Sequence, residues 1–179
     1  MAIQSIAVFC GSKNGNNTVF KNHAVELGVL LAKQHTTLIY GGGNVGIMGV
    51  MADTVMKQGG KVIGVIPQLL LEWERQHEGI TELIVTEDMH TRKKNIFSLC
   101  DAAIILPGGF GTLDELFEML TWNQLSIHNK PIFIINSAGF YTDLIHHMRN
   151  LAKDGFLYDE LEKRITILDD PSQFVQYLL

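Results

Sequence analysis

The chain is predicted to fold as a doubly wound α/β domain, a parallel sheet of about seven strands flanked by helices. Three observations predict it. Short β-rich runs alternate with helical stretches along most of the 179 residues. Several of these runs are almost wholly apolar, the pattern of strands covered on both faces of a parallel sheet. Three strand ends run into glycine-bearing loops, and in open α/β sheets ligands bind beyond the carboxyl ends of the strands.

Strands are expected at 3–9 (IQSIAVF), 37–40 (TLIY), 61–66 (KVIGVI), 82–86 (ELIVT), 102–106 (AAIIL), 131–135 (PIFII) and 164–168 (RITIL). Helices are expected between and after them, at 17–34, 45–58, 89–100, 112–127, 140–153 and 171–179. In the first, Val25, Leu27, Leu30 and Leu31 form a broad apolar face that leaves Lys21 and Glu26 outside. No linker rich in Pro, Gly or Ser divides the chain and no repeat is visible, so residues 1–179 read as one domain. The longest irregular stretch, 67–80, follows a strand end and holds four charges besides His77. Loops of that length in a compact domain are often functional.

Composition narrows the class. At 46% hydrophobic and 18% charged, a chain of this length buries a full core without disulfides or metals. Fourteen basic against 19 acidic residues give a net charge of −5, which argues against a nucleic-acid coat or a polybasic membrane binder. Cys10 and Cys100 form no CxxC and no zinc-finger spacing, and read as reduced thiols of a cytoplasmic protein. Residues 1–5 carry no basic region and no long apolar run follows, so no secretory leader is expected. No apolar run approaches the roughly 18 residues that span a bilayer.

The glycine loops are Cys10-Gly11-Ser12, Gly41-Gly42-Gly43 and Pro107-Gly108-Gly109-Phe110-Gly111-Thr112, and all three are expected to face one crevice. Gly41-x-Gly43-x-x-Gly46 matches a dinucleotide fingerprint, yet the next strand ends Val65-Ile66-Pro67-Gln68, without the acid that would hold a ribose. Two readings remain. The glycines permit a tight turn and close helix packing, or they let the backbone approach a mononucleotide phosphate or ribose.

The stretch at 107–115 carries more. Its glycines turn backbone N–H groups toward an anion, and the helix behind adds its positive end. Thr112 adds a hydroxyl. Thr112-x-x-Glu115 also reads as a capping box, whose side chains only satisfy helix-end donors. That alternative leaves Asp114 and Glu115 unexplained beside a phosphate loop. In Met89-His90-Thr91-Arg92-Lys93-Lys94, three cations open a helix against its dipole, at roughly 0.3–1 kcal/mol each. Lys94 reads as a solvated surface charge, whereas an anionic ligand would account for Arg92 and Lys93. Ser12 reads as a hydroxyl ligand or a turn residue, and Trp73 and Trp122 as packing. His146 and His147 point apart on a helix, and no metal site is expected.

In order along the chain, Gly41-Gly42-Gly43-x-x-Gly46-x-Met48-Gly49, Gly64-Val65-Ile66-Pro67, Met89-His90-x-Arg92-Lys93, Pro107-Gly108-Gly109-x-Gly111-Thr112-x-x-Glu115 and Thr121-Trp122-x-Gln124-Leu125-x-Ile127-His128-x-Lys130-Pro131 follow one another. From about residue 5 to about 155 the chain resembles the Lonely Guy (LOG) family, the cytokinin riboside 5′-monophosphate phosphoribohydrolases. The resemblance implies a Rossmann-like domain, a homodimer or higher assembly, and hydrolysis of the N-glycosidic bond of AMP-type and N6-substituted cytokinin nucleotides. The products are free base and ribose 5-phosphate. By motif, substrate-binding positions carry over to Glu74, Met89, Arg92, Lys93, Gly109-Phe110-Gly111-Thr112-Leu113-Asp114-Glu115 and Thr121, with Ser12, Gly42, Gly43 and Gly108 beside them. The sequence departs from plant relatives around Glu74, in Leu71-Glu72-Trp73-Glu74-Arg75, which bears on the preferred base. Relatives are often labelled lysine decarboxylases. Pyridoxal chemistry needs a Schiff-base lysine and a partner for the ring nitrogen, and no motif here argues for either.

The implied chemistry suits these residues. Breaking a ribosyl–purine bond develops cationic character at C1′ and negative charge on the departing base, and a carboxylate near the ribose stabilises that cation or orients water. Glu115 is the expected catalytic carboxylate, with Arg92 as the catalytic cation. Gly108-Gly109-Phe110-Gly111 and Thr112 hold the 5′-phosphate, and Glu74 binds the base or closes the site. No metal, redox cofactor, nucleic acid or membrane is called for. The alternative is a molybdenum-cofactor carrier or nucleotide sensor of the same fold, which has no use for both Arg92 and Glu115. Association is further suggested by the mixed face of the helix near 89–100, with Ile96, Phe97, Leu99 and Cys100.

Overall fold

A computed structural model of the chain describes residues 3–71 and 75–178. Seven parallel strands form one sheet in the order β4-β3-β2-β1-β5-β6-β7. They are β1 (Ser5–Phe9), β2 (Thr37–Tyr40), β3 (Val62–Pro67), β4 (Glu82–Thr86), β5 (Ala102–Ile105), β6 (Ile132–Ile135) and β7 (Thr166–Leu168). The helices are α1 (Thr18–Lys33), α2 (Gly46–Lys57), α3 (Met89–Leu99), α4 (Phe110–Gln124) and α5 (Thr142–Lys153).

The faces follow from the strand order. Crossovers between parallel strands are right-handed, so reversing the direction of travel along the sheet moves the connecting helix to the other face. The chain steps outward from β1 through β2 to β4, then returns to lay β5 against the other side of β1. Accordingly α1 and α2 cover one face, where Leu27, Leu31, Met51 and Val55 pack on Ile6, Val8, Leu38 and Tyr40. On the other face α3, α4 and α5 place Ile96, Phe97, Leu116, Met119, Ile145 and Met148 on Ala7, Phe9 and Ile39. Alternate residues of β1 feed the two cores, as a strand's period of two requires. On the mixed face near 89–100, Ile96, Phe97 and Cys100 are buried in the core, and Leu99 is half-buried.

The expected helix at 171–179 is instead a 3₁₀ run, Pro171–Tyr177. In that tighter winding side chains three apart eclipse. Phe174 and Tyr177 thereby fall on the same side, with ring centroids 4.9 and 4.8 Å from that of Phe133. Pairing also shortens the first and last strands. The Asp101 carboxylate accepts the N–H groups of Gln4 and Ser5 at 2.9 Å each, so sheet pairing starts at Ser5. Arg164, expected to open the last strand, spends its guanidinium on Asn123 and Asp159. Among the described residues no helix is long and apolar enough to cross a membrane.

Phe174 is 0% exposed and ties the chain's last segment to the sheet through Phe133. Phe174→Ala should lower the free energy of unfolding by about 3–5 kcal/mol, the usual loss for a buried aromatic. Urea denaturation followed by circular dichroism measures it, and a loss below about 1 kcal/mol would show that the segment contributes little.

Candidate active site

The loops after β1, β2 and β5 meet over the middle of the sheet, at the point where the strand order reverses. The Gly11 N–H donates to the Pro107 carbonyl at 3.0 Å, and the Gly11 carbonyl accepts from Ile47 at 3.1 Å. The Tyr141 hydroxyl supports the third loop from below, donating to the Leu106 carbonyl at 2.9 Å.

The glycines at 41 and 46 have internal reasons. A Cβ at Gly41 would lie 2.2 Å from Nη2 of Arg92. Gly46 has φ +59°, and its Cβ would lie 2.3 Å from the Ser12 carbonyl carbon. The next two are buried under the end of the 67–80 stretch. The Gly42 carbonyl accepts from His77 at 3.0 Å, and Gly43 bridges Gln76. That end is fastened to α2 as well. His77 Nδ1 accepts from the Gly79 N–H at 3.1 Å, leaving Nε2–H to face Asp53 at 3.3 Å. Close packing, one of the two readings open for this motif, is thus seen directly at Gly41 and Gly46.

Arg92 is the fourth residue of α3 and is buried. Its Nε donates to the Val65 carbonyl at 3.1 Å, and Nη2 stands 3.7 Å from Oε1 of Glu115. The Asp88 carboxylate caps α3, accepting from the Thr91 N–H at 2.7 Å, and this hydrogen bond holds its pKa below the usual range. A negative cap thus offsets the cations that follow. Met89 lies half-buried with its sulfur 3.9 Å from Nη1 of Arg92.

The start of α4 overturns the capping-box alternative. The helix begins at Phe110, two residues earlier than expected, with Gly109 as its N-cap and no side-chain cap. Thr112 and Glu115 are therefore its third and sixth residues, not the N-cap and third as the box requires. The first helical bond runs from Leu113 N–H to the Gly109 carbonyl at 3.1 Å, so the amides of Phe110, Gly111 and Thr112 precede it.

Lys93 already has anionic partners within the protein. Its ammonium lies 3.1 Å from Asp114 and 3.0 Å from Glu118, clasping α3 to α4. Burial disfavours the charge, but the two carboxylates outweigh it and raise the pKa. Asp114 thereby has a counter-ion beside the loop. Lys94 is exposed, as expected.

A cavity of about 170 Å³ opens among these groups, lined by Ser12, Met48, Arg92, Thr112 and Glu115, with Cys10 at its floor. Gly109, Phe110 and Gly111 complete the mouth, where the Phe110 ring is 94% exposed. Gly108 lines an adjoining cavity. Leu113 packs partly buried against the core of α3 and α4. Thr121 stands apart on the outer face of α4, its hydroxyl donating to the Phe117 carbonyl at 2.7 Å. Glu74 and Trp73 lie outside the described residues. Sequence reasoning missed Cys10 and Met48 as lining residues, though Met48 belongs to the glycine motif, and missed Tyr141 altogether.

Burial, with the nearby Glu115 charge, pushes the Cys10 thiol far above its ordinary pKa, and burial also raises that of Cys100. Iodoacetamide at pH 8 should therefore leave both thiols unmodified in the folded protein and alkylate both in denaturant. Rapid alkylation of Cys10 in the native state, read by peptide mass spectrometry, would mean the cavity floor is open.

Residues 48–178 match a family model described as "Possible lysine decarboxylase". The chain is 43% identical over 152 residues to a cytokinin riboside 5′-monophosphate phosphoribohydrolase of Arabidopsis thaliana, covering 85% of this chain and 71% of that protein. It is 40% identical over 168 residues to the enzyme of the same name from Rhodococcoides fascians, covering 93% and 85%. Among solved structures, the molybdenum cofactor binding protein of Rippkaea orientalis superposes with a TM-score of 0.73 at 23% identity, covering 98% of this chain and 95% of that one. At that identity the likeness speaks for the fold alone.

Proposed function

We propose, for a chain that belongs to the family of the cytokinin riboside 5′-monophosphate phosphoribohydrolases, that it hydrolyses the N-glycosidic bond of purine nucleoside 5′-monophosphates. AMP and N6-substituted adenosine monophosphates are the substrates, and free base and ribose 5-phosphate the products. The observation that carries the reading is the approach of Arg92 to Glu115, 3.7 Å apart, beside a helix start with no side-chain cap.

The amides of Phe110, Gly111 and Thr112, with the Thr112 hydroxyl, receive the 5′-phosphate, and the positive end of α4 supports the anion. The ribose then lies over Glu115. As the C1′–N9 bond breaks, its electron pair leaves with the base and positive charge develops at C1′. The Glu115 carboxylate faces that charge and takes a proton from the attacking water, whose oxygen bonds to C1′. Arg92 faces Glu115 and offers its guanidinium to anionic groups of substrate or leaving base. The departing base finally carries the proton away. The family model's description does not fit this site. A Schiff-base lysine must be a free amine, and Lys93 is an ammonium held between two carboxylates. A carrier of the same fold would have no need of Arg92 and Glu115 together.

Both cysteines are buried free thiols, which supports a reducing, cytoplasmic setting. A homodimer is part of the reading, and the exposed apolar residues at the end of α4 support a surface there. Phe117, Thr121 and Leu125 follow one stripe along α4, and Leu125 and the neighbouring Ile127 are 60% and 63% exposed. A second copy packed there would bury an apolar surface. Sedimentation at micromolar concentration should give about twice the 20.0 kDa of one chain, and Leu125→Lys with Ile127→Lys should lower the mass toward a monomer. A wild-type mass of one chain would end the dimer reading.

Glu115→Gln and Arg92→Ala should each cut kcat by at least about a hundredfold, the lower end of general acid–base and electrostatic effects. Circular dichroism should show both folded. Near-normal turnover in Glu115→Gln would reduce that residue to a partner for Arg92. Charge-assisted hydrogen bonds are worth roughly 1.5–3 kcal/mol each. Losing two or three should lower kcat/KM for adenosine about a thousandfold or more below that for AMP. Release of free base from the two compounds measures the ratio, and comparable rates would return the 107–112 loop to a plain structural turn.

A further inference from the structure

A second cavity, of about 360 Å³, adjoins the reactive one at the carboxyl end of the sheet. The two share Gly11, Ser12 and Gly109. Their linings are otherwise opposite in character. Arg92, Glu115, Thr112 and Cys10 line the first, whereas Phe20, Ile47, Pro107 and Phe140 line the second, with Lys13 beside them. The reversal of strand order places it, because α1 and α4 leave β1 and β5 on opposite faces and a crevice opens between them.

Its aromatic wall is built, not incidental. Phe20 of α1 and Phe140 after β6 meet edge to face, with ring centroids 5.3 Å apart. Two contacts fix the turn that carries Phe140. The buried Ser137 hydroxyl pairs with His23 Nδ1 at 2.8 Å, and the Asn136 side-chain carbonyl accepts the Tyr141 N–H at 2.7 Å. The proposed hydrolysis uses none of these residues. Yet Gly109, the N-cap of α4, stands in the wall between the lobes. A phosphate seated on the amides that follow it therefore has one oxygen side toward the ribose and the other toward Phe20 and Phe140.

We propose that this apolar lobe is a second subsite, which takes an aromatic or aliphatic group carried on the far oxygen of the bound phosphate. The inference rests on the phosphate placement proposed above. It enlarges the ligand class from nucleoside 5′-monophosphates to 5′-phosphoesters bearing an apolar or aromatic second group. Burial of that group against Phe20, Ile47 and Phe140 supplies the added affinity, and Lys13 complements the anion.

Phenyl phosphate and inorganic phosphate, each used to inhibit AMP hydrolysis by the intact protein, test it. Phenyl phosphate should compete with an inhibition constant at least about tenfold lower than that of phosphate, about 1.4 kcal/mol. Phe140 is partly exposed, so the uncharged polar variant Phe140→Asn should fold, and it should abolish the phenyl advantage while phosphate inhibits as before. Phe140→Leu, which keeps the wall apolar, should retain most of the advantage. Equal inhibition by both compounds, or an advantage that survives Phe140→Asn, would overturn the subsite and leave the phosphate reading standing. Failure of both to compete would overturn the phosphate reading itself, and the subsite with it.

Discussion

A buried guanidinium organises the centre of this molecule. Removing a charge from water is costly unless partners replace the lost hydration, and each partner of Arg92 comes from a different element. The Val65 carbonyl of β3 accepts its Nε, Glu115 of α4 approaches Nη2, and Met89 one turn back lays its sulfur alongside. The backbone of Gly41 passes so close that no side chain fits between. Strand, loop and two helices are thus tied to one cation. In return, a carboxylate is kept in a cavity where a reaction can use it.

The electrostatics around that pair are balanced locally. The start of α4 is positive by the helix dipole, and two carboxylates of the same helix would oppose an anion arriving there. Lys93 answers both, holding Asp114 and Glu118 while its neighbour Arg92 faces Glu115. Adjacent residues of α3 thus point at different carboxylates of α4. Substrate meets a mouth rich in donors, although the chain as a whole carries a charge of −5.

Rigidity comes from below and from the side. Tyr141 props the loop after β5, Gly11 links it to the loop after β1, and His77 fastens the end of the 67–80 stretch to α2 and to Gly42. None of these groups needs to touch a ligand. Their work is to hold backbone amides in fixed directions, which is where electrostatic catalysis draws its strength.

Sequence alone determined the alternation of strands and helices, the parallel sheet and the loops that carry the site. Those depend on local periodicity, and a run such as Ile104-Ile105-Leu106 reads the same in any context. It also singled out Arg92, a cation set against its helix dipole, and Glu115, a carboxylate beside a loop suited to an anion. Tertiary structure alone decided what those charges were for. Lys93 and Asp114 lie 21 residues apart, and only the return of β5 to the side of β1 brings α3 against α4. The start of α4 moved from 112 to 110 for a similar reason. Gly109 serves as the cap without a side chain, so no residue type announces it, and the two residues of the apparent capping box, Thr112 and Glu115, lie inside the helix and line the cavity. The last segment became a 3₁₀ run because Phe133, 41 and 44 positions earlier, sets where Phe174 and Tyr177 must land. Periodicity is local and so legible in sequence, whereas the partner of a buried charge or ring is chosen by the topology that brings distant segments together.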